Sequence, residues 1–581
     1  MMRILQNIVY PETSIYENDR EAYIRSVDKT RLVDGRLILP AYEKVDFNTY
    51  HNFFSLKKWR LYARLQNIAL NILVSRNAQV DVVGIMDRGH YFPEQVLVSA
   101  NIKSKQEAIL DIPNHEKFDI LYLRVQALDK PVEIIHCGFG TKDLIRQKVS
   151  LGACICTFNR QPYLKKNFEK LIPLIKKHNL DVEFFVSNNG DPLGFEIPEG
   201  VEVEKNRNLG GAGGFTRAIT MALRKGKSHI VLMDDDIQLP FESLFRTVRF
   251  FEMIIPERRD VFLSGSMLSS EERWLQYERN TVLDNNGFHH QGHAQNTRDF
   301  GVALENALND SIRGLAGWWF CAFSAKILRD YGLPMPIFVR GDDVEFSLRC
   351  AKEIVSLNGI CVWHDPFINK YSEIMEDYYL PRNMIINALL MPKPMTGLIN
   401  KFVLKKFWEN IRKYNYAAAR LNIYAVDHIL RQTYKEDAES IHRWASNMLK
   451  KEKEQVQSIG FGKFYPVKRN AKSKYSRYIF LATAIGLNKG NFGTAQAGFN
   501  RNIHDFAGRK EVHIFDHLTG RIEVAKLNRK KIAQLSAKMA KSYGLLMKDM
   551  AKIRKDLIEY REVATQNEFW QEIFDAPVKQ K

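Results

Sequence analysis

The apolar run Ile230-Val231-Leu232-Met233 is followed directly by three aspartates, Asp234-Asp235-Asp236. A short continuous apolar run reads as a strand buried on both faces, as in a parallel sheet. Acids at its carboxyl end then stand where open α/β sheets bind ligands. Three adjacent carboxylates repel one another and must be neutralised. A divalent cation carrying a diphosphate does this, because Mg²⁺ and Mn²⁺ take carboxylate, phosphate and water oxygens. An acidic turn without a ligand is the plainer alternative, and the surrounding sequence decides between them.

The flanks of this strand alternate. Residues 149–157 read as an apolar strand, 163–178 as an amphipathic helix, 182–186 as a second strand and 213–225 as another helix. Such alternation predicts a mostly parallel sheet covered by helices. Earlier in the chain, Leu121, Leu123, Val125 and Ala127 alternate with Tyr122, Arg124 and Gln126, and short β-like runs recur at 36–39, 65–74, 80–85 and 132–137. These predict a sandwich or barrel. Trp59, Tyr62 and Tyr91 there read as core, or else as a sugar-stacking face. From 383 onward the spacing is mainly helical, over 398–431 and 528–570, with a hairpin at 510–526 around Asp516-His517-Leu518-Thr519-Gly520. Ile532, Leu535, Met539, Leu546, Met550, Ile553 and Leu557 form an apolar stripe, a packing face or an oligomer contact. The expected fold class is therefore multidomain α/β: an N-terminal β-sandwich or barrel (1–148), a central Rossmann-like α/β domain (149–382) and a mainly helical C-terminal domain with a small hairpin (383–581).

Composition narrows the function. No apolar run approaches the roughly 20 residues of a membrane-spanning helix. The first residues, Met-Met-Arg-Ile-Leu-Gln-Asn, lack the apolar core of a signal peptide, so a cytoplasmic protein is expected. None of the six cysteines forms a CxxC pair, which predicts buried thiols. The net charge is +18, and residues 521–561 hold 12 basic against 4 acidic side chains. Such a balance suits a polyanion. With no zinc-finger, RRM or homeodomain pattern, nucleic acid is not expected. Peripheral contact with an anionic membrane, or simply a solvated basic surface, accounts for the charge.

Several motifs surround the aspartates. The first α/β strand ends in Thr157-Phe158-Asn159-Arg160, a polar loop with a positive charge. The second ends in Ser187-Asn188-Asn189-Gly190, a tight turn whose amides suit a uracil edge. Asn208-Leu209-Gly210-Gly211-Ala212-Gly213-Gly214 opens a helix. Its glycines allow close backbone approach, either to an anion at the helix N-terminus or to a packed neighbour. Gly317-Trp318-Trp319-Phe320 offers two flat apolar faces for a sugar, or a buried aromatic cluster. Asp342 and Asp343 start another helix, where one can take a proton from an acceptor hydroxyl or cap the helix. His364 ends a short strand; a lone histidine is usually not a ligand, but here it could complete an Asp/Asp/His shell, which suits Mn²⁺ better than Mg²⁺.

Taken in order, Thr157-Phe158-Asn159-Arg160, Asn208-Leu209-Gly210-Gly211, Asp234-Asp235-Asp236, Gly317-Trp318-Trp319-Phe320, Asp342-Asp343 and Trp363-His364 resemble the inverting family 2 glycosyltransferases of GT-A fold. The resemblance is nearest to the mycobacterial polymerising galactofuranosyltransferases of arabinogalactan synthesis. It implies that Asp234, Asp236 and His364 hold Mn²⁺ (or Mg²⁺) on the donor diphosphate, with Asp235 between them in the donor site. It implies nucleotide contacts at Phe158 and Arg160, base and sugar contacts at Asn188 and Asn208, and a donor cradle at Gly210 and Gly211. Trp318 and Trp319 then face the acceptor, and Asp343, rather than Asp342, is the general base. Asn188 stands where the family commonly has Asp, and Gly341 where the mycobacterial enzymes have a bulky aromatic.

The implied activity is transfer of galactofuranose from UDP-galactofuranose to a lipid-linked or growing bacterial surface glycan. The enzyme would lie on the cytoplasmic face of the inner membrane, as a homo-oligomer. Another donor of the same chemistry (a UDP-hexopyranose or dTDP-rhamnose), a non-catalytic carbohydrate-binding protein and a nucleotidyltransferase are the alternatives.

Overall fold

A computed structural model describes residues 2–11, 16–26, 30–33, 35–366, 372–453, 457–461, 475–485, 491–497, 501–516 and 520–576. His517, Leu518 and Thr519 of the expected hairpin turn lie outside the described residues.

The N-terminal strands form two antiparallel sheets. One runs in the order Arg31–Val33, Arg36–Leu39, Val132–Thr141, Ile68–Val74, Ala108–Asp111, with Arg3–Asn7 also paired to Val132–Thr141; the other runs Arg25–Ser26, Lys44–Asp46, Ile120–Ala127, Ala78–Ile85, Glu94–Ile102. Leu70, Ile72 and Phe139 from the first sheet share a core with Val80, Leu121, Leu123 and Val125 from the second. Tyr122, expected to face outward, is buried as well. It packs with Tyr50 and Phe53 against Leu268, Leu304 and Trp363. The sheet is thus covered on its second face by the α/β segment, which the alternating pattern alone did not indicate. Trp59 and Tyr62 are core, and Tyr91 is exposed.

Buried cations tie the two parts together. Arg246 donates to Glu242 and to the carbonyls of Asn7, His51 and Asn358. Lys58 donates to the carbonyls of Asn306 and Ser356, and burial lowers its pKa well below the ordinary lysine value. These partners offset the cost of burying the two side chains.

The central sheet has seven strands in the order Val201–Lys205, Val182–Asn188, Leu151–Thr157, His229–Asp234, Cys321–Ser324, Val261–Ser264, Glu353–Val355. The first four are mutually parallel, and Cys321–Ser324 runs antiparallel to both its neighbours. Leu151–Thr157 pairs with Val182–Asn188 on one side and His229–Asp234 on the other, so the strand order reverses beside it. Cys156 is level with Asp234 and Thr157 with Asn188, which lines up the carboxyl ends. A second sheet, ordered Ile237–Gln238, Cys361–His364, Ser266–Ser269, Leu275–Glu278, Gln295–Asn296, lies just beyond.

The C-terminal part is helical around a four-stranded sheet, ordered Gln457–Phe461, Arg521–Lys526, Arg509–Phe515, Asn491–Gln496. The expected hairpin is its centre. The long helical stretches are broken: Tyr414, at φ 51°, separates Lys406–Arg412 from Tyr416–Leu430. Asp549 separates Arg529–Lys548 from Met550–Ala564. Leu535, Met539, Leu546, Ile553 and Leu557 of the apolar stripe pack within the chain against Met384, Ile385, Leu389 and Val426. The last helix, Asn567–Asp575, straps back onto the α/β part: Trp570 is buried and donates to the Pro334 carbonyl. All six cysteines are free thiols, five of them buried. Among the described residues no helix is long and apolar enough to cross a membrane.

Candidate active site

The strand His229–Asp234 delivers the three aspartates to the carboxyl edge of the parallel sheet. Three residues after Asp234, Ile237 pairs antiparallel with His364. This crossing of the two sheets brings the histidine to the acids. His364 Nε2 lies 3.2 Å from Asp236 Oδ1 and 3.8 Å from Asp234 Oδ2. One ligand atom from each residue falls within 4.8 Å of the others. His364 and Asp236 are buried and Asp234 is half-buried.

The imidazole is oriented from behind. Its Nδ1 lies 2.6 Å from the Asp365 carbonyl, which can only accept, so Nδ1 carries a hydrogen. Nε2 faces the two carboxylates. The Asp365 carboxylate is itself fixed by Tyr163 Oη at 2.7 Å and Ser270 Oγ at 2.6 Å. Two carboxylates and an oriented imidazole nitrogen that converge on one point are ligand types that suit a divalent cation, whose cis ligands lie about 3 Å apart.

Asp235 points elsewhere. Its Oδ2 accepts from the Phe158 amide at 3.1 Å, tying the aspartate turn to the end of the first strand. Burial, reinforced by Asp236, pushes its pKa up to about 7. Phe158 and Arg160 are exposed at the rim, with Arg160 Nε 3.8 Å from Asp236 Oδ2. Asn188 braces its own turn: its Nδ2 donates to the Asp191 carbonyl and its Oδ1 accepts from the Gly190 amide. Asn208 Oδ1 accepts from the Gly210 amide at 3.2 Å.

The glycines answer to packing. A Cβ at Gly214 would meet Cys156 Sγ at 2.1 Å, and one at Gly210 would meet the Phe338 carbonyl at 2.3 Å. At Gly211 it would come within 2.8 Å of Asp342 Oδ2. Gly210 and Gly211 therefore let the helix start lie against the segment that carries the second acidic pair.

Asp342 and Asp343 occupy the first turn of the helix Asp342–Cys350, after a left-handed Gly341 at φ 98°. Phe338 and Arg340 are also left-handed, at φ 74° and 64°. Each costs roughly 1–2 kcal/mol in a residue with a Cβ. Burial raises the pKa of both aspartates, and the Asp343 charge raises Asp342 further. The Val344 amide and Arg340 counter the rise at Asp343. Asp342 is buried and Asp343 half-buried, so Asp343 is the more accessible of the two. Asp234 raises both, which places the pair within electrostatic reach of the Asp/Asp/His group.

The tryptophans depart from the exposed faces that an acceptor platform requires. Trp318 lies edge-on between Phe215 and Phe346, at 5.0 and 6.0 Å between ring centroids. Trp319 is buried and donates from Nε1 to the Gly265 carbonyl at 2.8 Å. Packing of the helix Gly210–Arg224 against Asp342–Cys350 leaves an aromatic-sized gap that Trp318 fills.

Other residues at the site carry no mark in their local sequence. Tyr163, Ser270 and Asp365 form the support behind His364. Asn189 bridges the second strand's turn to the glycine-rich helix, donating to the Gly210 carbonyl at 3.1 Å. Glu278 contributes negative charge at Asp343 and pairs with Thr281 and His290.

Residues 5–141 match the family model described as galactofuranosyltransferase 2 N-terminal. Over 388 residues the chain is 25% identical to galactofuranosyltransferase GlfT2 of Mycolicibacterium smegmatis, covering 61% of this chain and 59% of that one. Over 436 residues it is 24% identical to GlfT2 of Mycobacterium tuberculosis, covering 68% and 66%. The chain thus spans less than two thirds of the length of these curated relatives. A solved mannosyltransferase from Pyrobaculum calidifontis, in complex with GDP-mannose and Mn²⁺, aligns at 13% identity over 52% of this chain and 81% of its own, with a TM-score of 0.27. The likeness to galactofuranosyltransferases read from the motifs is met by the named relatives and by the N-terminal segment, which the motifs did not include.

Proposed function

We propose that the chain is an inverting, metal-dependent glycosyltransferase with a GT-A catalytic domain, transferring galactofuranose from UDP-galactofuranose to a glycan acceptor. The observation that carries this reading is the convergence of Asp234, Asp236 and His364 at the reversal point of the parallel sheet, with Asp342–Asp343 close by. Residues 1–148, 149–382 and 383–581 are read as sandwich, catalytic and helical domains.

Asp234, Asp236 and His364 would hold Mn²⁺ or Mg²⁺, which when bound offsets the donor diphosphate's charge and eases departure of UDP. The Asp365 carbonyl, by holding Nδ1, turns Nε2 of His364 toward that ion. Phe158 and Arg160, exposed at the rim, receive the nucleotide. Asn208, Gly210 and Gly211 line the approach from the glycine-rich helix. Asp343 accepts the proton of the acceptor hydroxyl as that oxygen bonds to the anomeric carbon. The bond from that carbon to UDP breaks on the opposite face, so the configuration inverts and its electron pair leaves with UDP. Asp342, held more protonated, does not compete for that proton. Asn188, shaped by its own turn, is read as lying beside the donor's base. Trp318 and Trp319 back the acceptor side from within the core.

The acceptor is read as a lipid-linked or growing surface glycan, met on the cytoplasmic face of the inner membrane by the basic surface of a homo-oligomeric peripheral protein. The test is a donor panel with Mn²⁺, scoring nucleotide release with and without oligosaccharide acceptors. Acceptor-stimulated UDP release from UDP-galactofuranose is expected. Release from a UDP-hexopyranose or dTDP-rhamnose instead would replace the donor. Pyrophosphate release would mean a nucleotidyltransferase, and no release from any donor would leave a carbohydrate-binding protein.

A further inference from the structure

The loop Ile337 to Gly341 reaches the acidic pair through left-handed backbone at Phe338, Arg340 and Gly341. Nothing in its own sequence favours that path at Phe338 or Arg340. The restraint comes from the helix Leu380–Leu390, which crosses beneath it.

Asn383, fully buried on that helix, donates from Nδ2 to the carbonyls of Ile337 at 3.0 Å, Val339 at 2.7 Å and Arg340 at 2.9 Å. An amide NH₂ has two hydrogens, so three carbonyls share them and must converge on one point. The orientation of the amide is set from the other side. Arg382 Nε donates to Asn383 Oδ1 at 2.9 Å, and Arg382 Nη2 donates to the Ile337 carbonyl at 2.7 Å. One turn on, Asn387 donates to the Gly341 carbonyl at 3.0 Å.

The loop so held is also the contact with the glycine-rich helix. The Phe338 carbonyl accepts from the Ala212 amide at 2.9 Å, and Gly210 is the residue that leaves room for it. A shift at the Asn383 clamp therefore moves Asp342 and Asp343 relative to the helix start that lines the donor approach. Gly341 fits the same geometry. A Cβ there would meet Met384 Cε at 2.8 Å and Asn387 Nδ2 at 3.0 Å, so the loop lies close against the helix that clamps it.

We propose that Asn383, oriented by Arg382, is a positioning residue for glycosyl transfer: it fixes the strained loop and thereby the distance of Asp343 from the reacting acceptor oxygen. This rests on the reading of Asp342–Asp343 as the pair that handles the acceptor proton. Asn383 itself touches neither substrate nor cation.

The test is a double-mutant cycle of Asn383→Asp with Asp343→Asn on the full chain, followed by steady-state transfer from UDP-galactofuranose and by Mn²⁺ and UDP binding. Asn383→Asp keeps the size but replaces the donor with an acceptor facing three carbonyls. A misplacement of about 1 Å costs on the order of 100-fold, so kcat per folded molecule is expected to fall by about that factor. Donor KM and UDP affinity are expected to stay within about threefold, because the interaction acts on the transition state. In the Asp343→Asn background the same change is expected to cost less than about threefold, since the group it positions is gone.

Arg382→Lys is the second variant if Asn383→Asp does not fold. It keeps a cation over the rings of Tyr378 and Tyr379 but cannot bridge Asn383 and Ile337. The same kcat-against-KM split, at about tenfold, is expected of it. Wild-type kcat in the folded variants overturns the proposal, as does a loss of equal size with and without Asp343. If Asp342→Asn and Asp343→Asn both transfer at the wild-type rate, the acid-pair reading falls, and the clamp's role falls with it. Loss confined to Asn383→Asp with an additive cycle overturns the clamp alone.

Discussion

His364 Nε2 stands 3.2 Å from Asp236 Oδ1, and the two meet where the chain passes from the first sheet into the second and Ile237 pairs with His364. A two-residue strand thus decides whether the aspartates form a site or merely an acidic turn. The Nδ1 hydrogen, directed to the Asp365 carbonyl, turns Nε2 toward the two carboxylates.

Asp236→Ala is expected to weaken Mn²⁺ binding by at least 100-fold and to abolish metal-dependent transfer. Losing a supporting partner already costs about 10–100-fold, so losing a ligand costs no less. The metal-free protein should fold normally, because the change relieves repulsion among Asp234, Asp235 and Asp236. Titration of Mn²⁺ by calorimetry, with thermal melts of the metal-free variant, checks both. Wild-type Mn²⁺ affinity would refute the ligand assignment.

Asp343→Asn is expected to lower turnover by about 10²–10⁴-fold while UDP binding stays unchanged, as loss of a general base requires. Asp342→Asn should cost less, since that carboxyl is buried and raised further by its neighbour. Paired kcat and UDP-affinity measurements decide. If Asp342→Asn proves the more severe, the base is the buried member.

How far the sequence reached depends on the kind of contact. The apolar run before the aspartates, the alternating helices and the sandwich strands carry their own periodicity, so these elements were readable. Each is fixed by residues a few positions apart. The joining of Asp236 to His364 was readable only as a match of ligand types, not as a distance. Tyr122 looked half-exposed because a strand's period is blind to a second layer arriving from Leu268, Leu304 and Trp363. Asn188 looked like a base reader, but an asparagine beside a glycine serves its own turn equally well. Trp318 and Trp319 share one sequence pattern for stacking on a sugar and for filling a core. Asn383 was invisible, because its partners are backbone carbonyls, which carry no residue identity at all.

Trp318→Ala is expected to destabilise the protein by about 3–5 kcal/mol, the cost of emptying a buried aromatic site. Its ring fills the space between Phe215 and Phe346. Urea denaturation checks the magnitude. Transfer per folded molecule, with acceptor KM little changed, is expected to survive. A folded variant with normal stability and a large rise in acceptor KM would instead make Trp318 an acceptor residue.

His229 gives the fold a pH dependence of known sign. It starts the central strand, lies 4.6 Å from Phe251 between ring centroids at a tilt of 39°, and has Ser228 Oγ 2.9 Å from its Nδ1. Burial, with a smaller contribution from Arg259, lowers its pKa from 6.5 to about 4. The unfolded chain therefore binds a proton that the native chain refuses. The stability this neutral histidine contributes is complete above pH 6.5 and is lost as pH falls toward 4. Between pH 7.5 and 5 the loss from this one group is about 2 kcal/mol. His229→Gln, which cannot titrate, should reduce the difference between urea melts at those two pH values by about that amount, even if it lowers stability at both. An unchanged difference would mean that the histidine takes up its proton within the folded protein.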